Sequence, residues 1–115
     1  MNVLIKRVYD PTVPGDGLRV LVDRLWPRGL SKERAAIDVW AKELAPSTAL
    51  RRWFHSDDGN WIEFKRRYRQ ELSQRRDEAA ALQSQIGGQK ATFLYATKAE
   101  AHNHAQLLKA FLEGL

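Results

Sequence analysis

The sequence predicts a small α/β protein, a single domain in which a three- to four-stranded sheet, mixed or mainly parallel, is covered by helices. Three observations carry that prediction. Short apolar, β-branched runs at Val3 to Tyr9, Leu18 to Leu25 and Ala91 to Ala96 are separated by helical stretches, in the order β, β, α, (β), α, α, α, β, α. The Val20-Leu21-Val22 run does not alternate with polar residues, which suits a central strand buried on both faces. The 115 residues suffice for one hydrophobic core, and residues 1–115 contain no repeat, low-complexity segment or linker.

After the first strand, Asp10-Pro-Thr-Val-Pro-Gly-Asp-Gly17 is dense in turn formers and reads as a loop. It is short for a helical crossover. The first two strands therefore form a wide hairpin or are separated in the sheet by another strand. Ser31 can cap a short helix, with Glu33 in its favourable first turn. Ile37 to Leu44 fits either a short strand or a helical turn. Ser47, after Ala45-Pro46, caps a helix through Trp53-Phe54, and Asn60 with Glu63 forms a capping-box pattern. Trp61, Phe64, Tyr68 and Leu72 then make one apolar stripe on a helix whose other faces carry most of the arginines. A further helix from about Asp77 to Ile86 stops at Gly87-Gly88. After the last strand, Ala99 to Leu112 forms a final helix with Leu107, Leu108, Phe111 and Leu112 turned inward.

Composition bounds the function. A hydrophobic fraction of 43% and a charged fraction of 29% are those of a soluble globular protein. The absence of cysteine removes thiol nucleophiles, disulfides and thiolate metal sites, and suits a cytoplasmic location. Met1 to Val8 lacks the apolar centre of a signal peptide, and no apolar run approaches the roughly 20 residues of a membrane helix. The net charge of +5 points to an anionic partner or simply to solubility.

Two strand ends carry the candidate chemistry. In Asp23-Arg-Leu-Trp-Pro-Arg-Gly29, Arg24 and Arg28 supply planar donor forks for a phosphate or carboxylate. Gly29 lets backbone N–H groups approach an anion near the following helix start, and Trp26 offers a flat face for stacking. The plainer alternative is that Asp23 pairs with a buried arginine and Trp26 fills core space. In Tyr95-Ala-Thr-Lys-Ala-Glu-Ala-His-Asn-His104, the two histidines are two residues apart. On a regular helix that spacing puts them on opposite sides and excludes a two-histidine metal clamp. His104 shares a face with Leu108 and Phe111; it is either a hydrogen-bonded core histidine or a general acid–base group.

If the second and last strands run parallel, their carboxyl ends open on one edge. Arg24, Trp26, Arg28 and Gly29 then face Tyr95, Thr97, Asn103 and His104 across a single cleft, with His104 the catalytic candidate. The ligand expected there is small, anionic and phosphate-bearing, such as a nucleotide; no metal or cofactor is expected. His55 beside Asp57 and Asp58 reads as a capped loop rather than a metal site. A second reading is a nucleic-acid-binding module using the arginine-rich helix 61–76, where Lys65, Arg66 and Arg69 share a face. A third is a protein-interaction domain without catalysis. Neither a Gly-rich phosphate loop nor a nucleophile elbow nor an HExxH pattern is present.

The sequence resembles the YeaO-like family of bacterial domains of unknown function over nearly its whole length. The carriers are Lys6-Arg-Val-Tyr9, Val22-Asp-Arg-Leu-Trp-Pro-Arg-Gly-Leu-Ser-Lys32, Trp40-Ala-Lys-Glu-Leu-Ala-Pro-Ser47, Leu50-Arg-Arg-Trp-Phe54 and Leu94 through Ala105. The resemblance implies an α/β fold and an intracellular bacterial protein, with no established activity. It also implies that longer relatives carry a cysteine where Tyr95 stands and Cys-His-Arg where Asn103-His104-Ala105 stands. Of those positions only the histidine is kept here, which puts thiol chemistry out of reach.

Overall fold

The computed structural model describes residues 1–98 and 102–115. Four parallel strands form one sheet: β1 (Val3–Arg7), β2 (Leu18–Leu21), β3 (Val39–Trp40) and β4 (Ala91–Tyr95), in the order β1-β4-β2-β3. Phe93 of β4 lies between Ile5 of β1 and Val20 of β2. Of the two arrangements open to the first strands, the separated one is realised, with β4 between them. Every residue of β4 is buried, as a central parallel strand requires.

The connection from β1 to β2 is a loop, not a helix. Within it, a single 3-10 turn at Pro14–Asp16 leads into Gly17. Thr92 of β4 donates its hydroxyl to the Asp16 carbonyl (2.7 Å), fixing the loop against the sheet. Gly17 has φ +63, and a Cβ there would lie 2.3 Å from the Lys90 carbonyl oxygen, so only glycine fits this crossing.

The described residues form five helices: α1 (Lys32–Ala35), α2 (Thr48–Phe54), α3 (Trp61–Ser73), α4 (Arg76–Ile86) and α5 (His104–Glu113). Phe64, Tyr68 and Leu72 of α3, Leu82 and Ile86 of α4, and Leu108 and Leu112 of α5 form one core with Val3, Val20, Ala91, Phe93 and Tyr95 of the strands. By strand alternation the other sheet face presents Arg19, Leu21, Thr92 and Leu94, all buried. Ser31, Ser47 and Asn60 cap α1, α2 and α3 through their side chains, as their sequence positions predict.

β1 ends at Arg7 and β4 at Tyr95, short of the expected Tyr9 and Ala96, and three other stretches differ more from expectation. β2 ends at Leu21, not Leu25, because the chain turns away once Asp23 uses its carboxylate to accept the Ala96 N–H (2.9 Å). Ile37 to Leu44 is both of its alternatives in series, the two-residue β3 and then a 3-10 turn at Lys42–Leu44. The last helix begins at His104, since Asn103 is extended and caps it. Residues 99–101 of its expected first turn lie outside the described residues. Tyr68 ties α3 to the 3-10 turn by donating to the Leu44 carbonyl (2.6 Å); burial pushes its phenol up, and the nearby charges of Glu71 and Asp23 add to this.

Candidate functional site

Because β2 and β4 are parallel neighbours, the loops that follow them leave the sheet on the same edge. Between them lies a cleft of about 430 Å³. Trp26, Pro27 and Arg28 line it from the β2 loop, and Thr97, His102, Asn103 and His104 from the β4 loop and the start of α5. Its far wall comes from the α2–α3 region, with Arg51, Phe54, His55 and Trp61.

The β2 loop is held by indole and phenol donors. Trp26 donates Nε1–H to the Leu30 carbonyl (2.8 Å), Trp40 donates to the Asp23 carbonyl (2.7 Å), and the two indoles meet edge-on at 5.6 Å. Tyr9 reaches from the end of β1 to donate to the Arg28 carbonyl (3.0 Å). Gly29 has φ +77 with open space where a Cβ would sit, so it serves the turn.

At the base of the cleft the buried Asp23 and half-buried His104 form a pair, their side chains 10% and 13% exposed. One Asp23 oxygen accepts the Ala96 N–H; the other lies 2.7 Å from His104 Nε2. That same Nε2 is 3.2 Å from the Val22 carbonyl. Both neighbours are acceptors, so Nε2 carries the hydrogen and divides it between them. Asp23 Oδ1 is consequently buried without a squarely aimed donor among the described residues. Tyr68 closes the back of the pair, its ring edge-on to the imidazole at 6.4 Å.

Above the pair, the cleft is cationic and aromatic. Arg28 is exposed and Arg51 half-buried, and among the described residues neither makes an ion pair. The His102 ring stacks on Trp61 at 4.8 Å and 13°. Among the described residues no group of three or more His, Asp or Glu side chains is arranged to hold a metal ion.

Residues 2–115 match the family model described as the inactive DUF488-N3 subclade. The chain belongs to that family. It is 44% identical over 115 residues, 100% of both chains, to a protein of Escherichia coli strain K12 named "Uncharacterized protein YeaO". Uncharacterized proteins of Mycobacterium tuberculosis and Mycobacterium bovis are each 40% identical over 115 residues, covering 98% of this chain and 95% of theirs. No solved structure matches.

In this family member the cleft gathers Trp26, Arg28, Thr97, Asn103 and His104 of the residues singled out from sequence. Arg24 is elsewhere: its guanidinium donates to the Ala45 (3.1 Å) and Pro46 (3.3 Å) carbonyls and so holds the chain ahead of α2. Tyr95 is in the core, and Gly29 sits in the turn without lining the cleft. Asn103 is 2% exposed, and its side chain accepts the Gln106 N–H as the α5 cap.

Sequence reasoning missed Arg51, His55, Trp61 and His102. The first three come from α2, its following loop and α3, whose approach to the strand ends is a tertiary matter. His102 was separated from His104 by helical periodicity, but the helix begins only at His104. The preceding bend places both histidines on one cleft. A cap reading at Asn103, of the same kind as that at Asn60, carried the missing signal.

The arginine-rich helix is partly self-neutralised. Glu63 is paired with Arg66 and lies 3.6 Å from Arg67; the Arg66 guanidinium above all holds its carboxyl below the ordinary value. Arg67 also lies over the Trp53 ring at 4.0 Å.

Proposed function

We propose that the cleft binds a small anionic ligand that carries a phosphate and a flat ring, a nucleotide being the fitting class. The observation that supports this reading most is the pair of guanidiniums Arg28 and Arg51, which make no ion pair among the described residues, lining one cleft together with the indoles of Trp26 and Trp61, the latter stacked on His102. Guanidinium forks suit a phosphate, and an indole face suits a base. The volume is within the range of small-molecule sites. Beneath these side chains the Asp23–His104 pair forms the polar base of the cleft, with Asp23 Oδ1 buried 2.7 Å from His104 Nε2.

Binding is favoured over turnover. The family is described as an inactive subclade, and the chain has no cysteine. His104, the acid–base candidate, has its Nε2 hydrogen engaged by Asp23 and Val22, and its role is to hold Asp23 in place.

The test is titration calorimetry and thermal unfolding with AMP, ADP, adenosine and inorganic phosphate as probes. A nucleotide at about 100 times its dissociation constant stabilises the fold by about 2.7 kcal/mol. Adenosine and phosphate alone bind more weakly than the nucleotides that join them. Arg28→Ala and Arg51→Ala each weaken nucleotide binding about tenfold or more, the loss of one charge-assisted contact. A wild type that responds to none of the four probes, or an Arg28→Ala protein that responds as the wild type does, overturns the reading.

A further inference from the structure

A second concavity lies away from the cleft, between α3 and α5. It has a volume of about 300 Å³, an apolar floor of Leu72, Leu107, Ala110 and Phe111, and a bank of Lys65, Arg66 and Arg69. We propose that this groove docks an acidic amphipathic helix of another protein. The inference is independent of the ligand assigned to the cleft.

The spacing builds a surface of that kind. On α3, positions 65, 66 and 69 fall on one face, and Ile62, 78% exposed, extends it by a turn with an aliphatic side chain. On α5, Leu107 and Phe111 are i and i+4 and only half-buried, with the small Ala110 between them leaving the depression. The Arg76 guanidinium lies 5.8 Å from the centre of the Phe111 ring and adds a cation beside the groove. None of the residues lining the groove is acidic. Among the described residues Lys65 and Arg69 make no ion pair; Glu63 is committed to Arg66 and Arg67.

Charge and polarity together select the occupant. A helix with apolar residues at i, i+3, i+4 and i+7 buries them on the floor, and glutamates or aspartates on its flanks meet Lys65 and Arg69. A nucleic-acid backbone would satisfy the cations and leave the apolar floor without a partner. A second copy of this chain, at a net charge of +5, is repelled by the same bank.

The experiment uses the intact protein and three fluorescent probes. Two are synthetic peptides of about 14 residues with leucines at the helical spacing, flanked in one by glutamates and in the other by lysines. The third is a thymidine oligonucleotide of about 12 nucleotides. The glutamate peptide binds more tightly than either other probe. Reversing the bank with Lys65→Glu and Arg69→Glu, both exposed positions, weakens it about tenfold or more and transfers preference to the lysine peptide. Leu107→Ser weakens both peptides, while Arg28→Ala in the cleft leaves peptide binding unchanged. Thermal unfolding of each variant checks that the fold is retained. Equal affinity of the glutamate peptide for wild type and the charge-reversed protein overturns the inference, as does tighter binding of the oligonucleotide.

Discussion

Two buried aspartates sit at opposite ends of β2 and are treated very differently. Asp16, before the strand and 3% exposed, has three donor groups: Lys6 Nζ lies 3.1 Å from both oxygens, and Arg19 (2.5 Å) and the Val13 N–H (3.2 Å) both donate to Oδ2. Arg19 also donates from Nε and Nη2 to the Ala35 and Ala36 carbonyls. Asp23, after the strand, has one backbone N–H and a histidine whose hydrogen is shared with a carbonyl. A buried carboxylate whose two oxygens are met by two cations and an amide fixes structure. One held by a backbone N–H and a shared histidine hydrogen, at the base of a cleft, is tied less firmly to the fold.

Removing each acid tests that contrast. Asp16→Ala leaves the 3%-exposed Arg19 without its counter-ion, and unfolding free energy falls by about 3–5 kcal/mol in urea titrations. Asp23→Ala costs about 1–3 kcal/mol, because what it strands is the Ala96 N–H and the His104 Nε2 contact, not a buried guanidinium. Equal losses would erase the distinction between the two ends. Arg28→Ala, on the exposed rim, stays within about 0.5 kcal/mol of the wild type in stability while losing nucleotide affinity. A large stability loss there would show that Arg28 serves the fold instead.

How far the sequence reaches follows the same division between local and tertiary causes. Caps and the α3 stripe are local, set by side chains three or four residues apart, so Ser47, Asn60 and the Phe64-Tyr68-Leu72 row are readable directly. The Asp-Arg-Leu-Trp-Pro-Arg-Gly run marks the place of the cleft because strand ends leading to helix starts gather on one edge of a parallel sheet. Which arginine faces that cleft is not readable. Arg24 and Arg28 are equally good anion ligands by type, and only the packing of Ala45 and Pro46 takes Arg24 out of play. Arg51 and Trp61 are invisible for the same reason, since nothing near them in sequence says that α2 and α3 reach the strand ends. The pairing of Asp16 with Lys6 and Arg19 is likewise hidden, because it depends on a loop crossing the sheet where a helix is the usual connection.

The smallest effect is a change of slope with pH, and it isolates Asp16. Burial pushes its carboxyl up, but the Val13 N–H and the charges of Lys6 and Arg19 outweigh burial and hold the group below the ordinary value of 3.8. The folded state therefore takes up this proton at lower pH than the unfolded state does. The stabilisation is fully present above 3.8 and is lost as pH falls from there through the depressed folded value. Asp16→Asn has no proton to gain at this position. The stability difference between wild type and Asp16→Asn is therefore constant from neutral pH down to about 4, and it narrows below that as the wild-type carboxyl is neutralised. Urea titrations at half-unit intervals between about pH 6 and pH 2 measure it. A difference that stays level or widens in acid would mean that the Asp16 charge adds nothing beyond what a neutral amide supplies, and the contrast with Asp23 would have to rest on hydrogen-bond count alone.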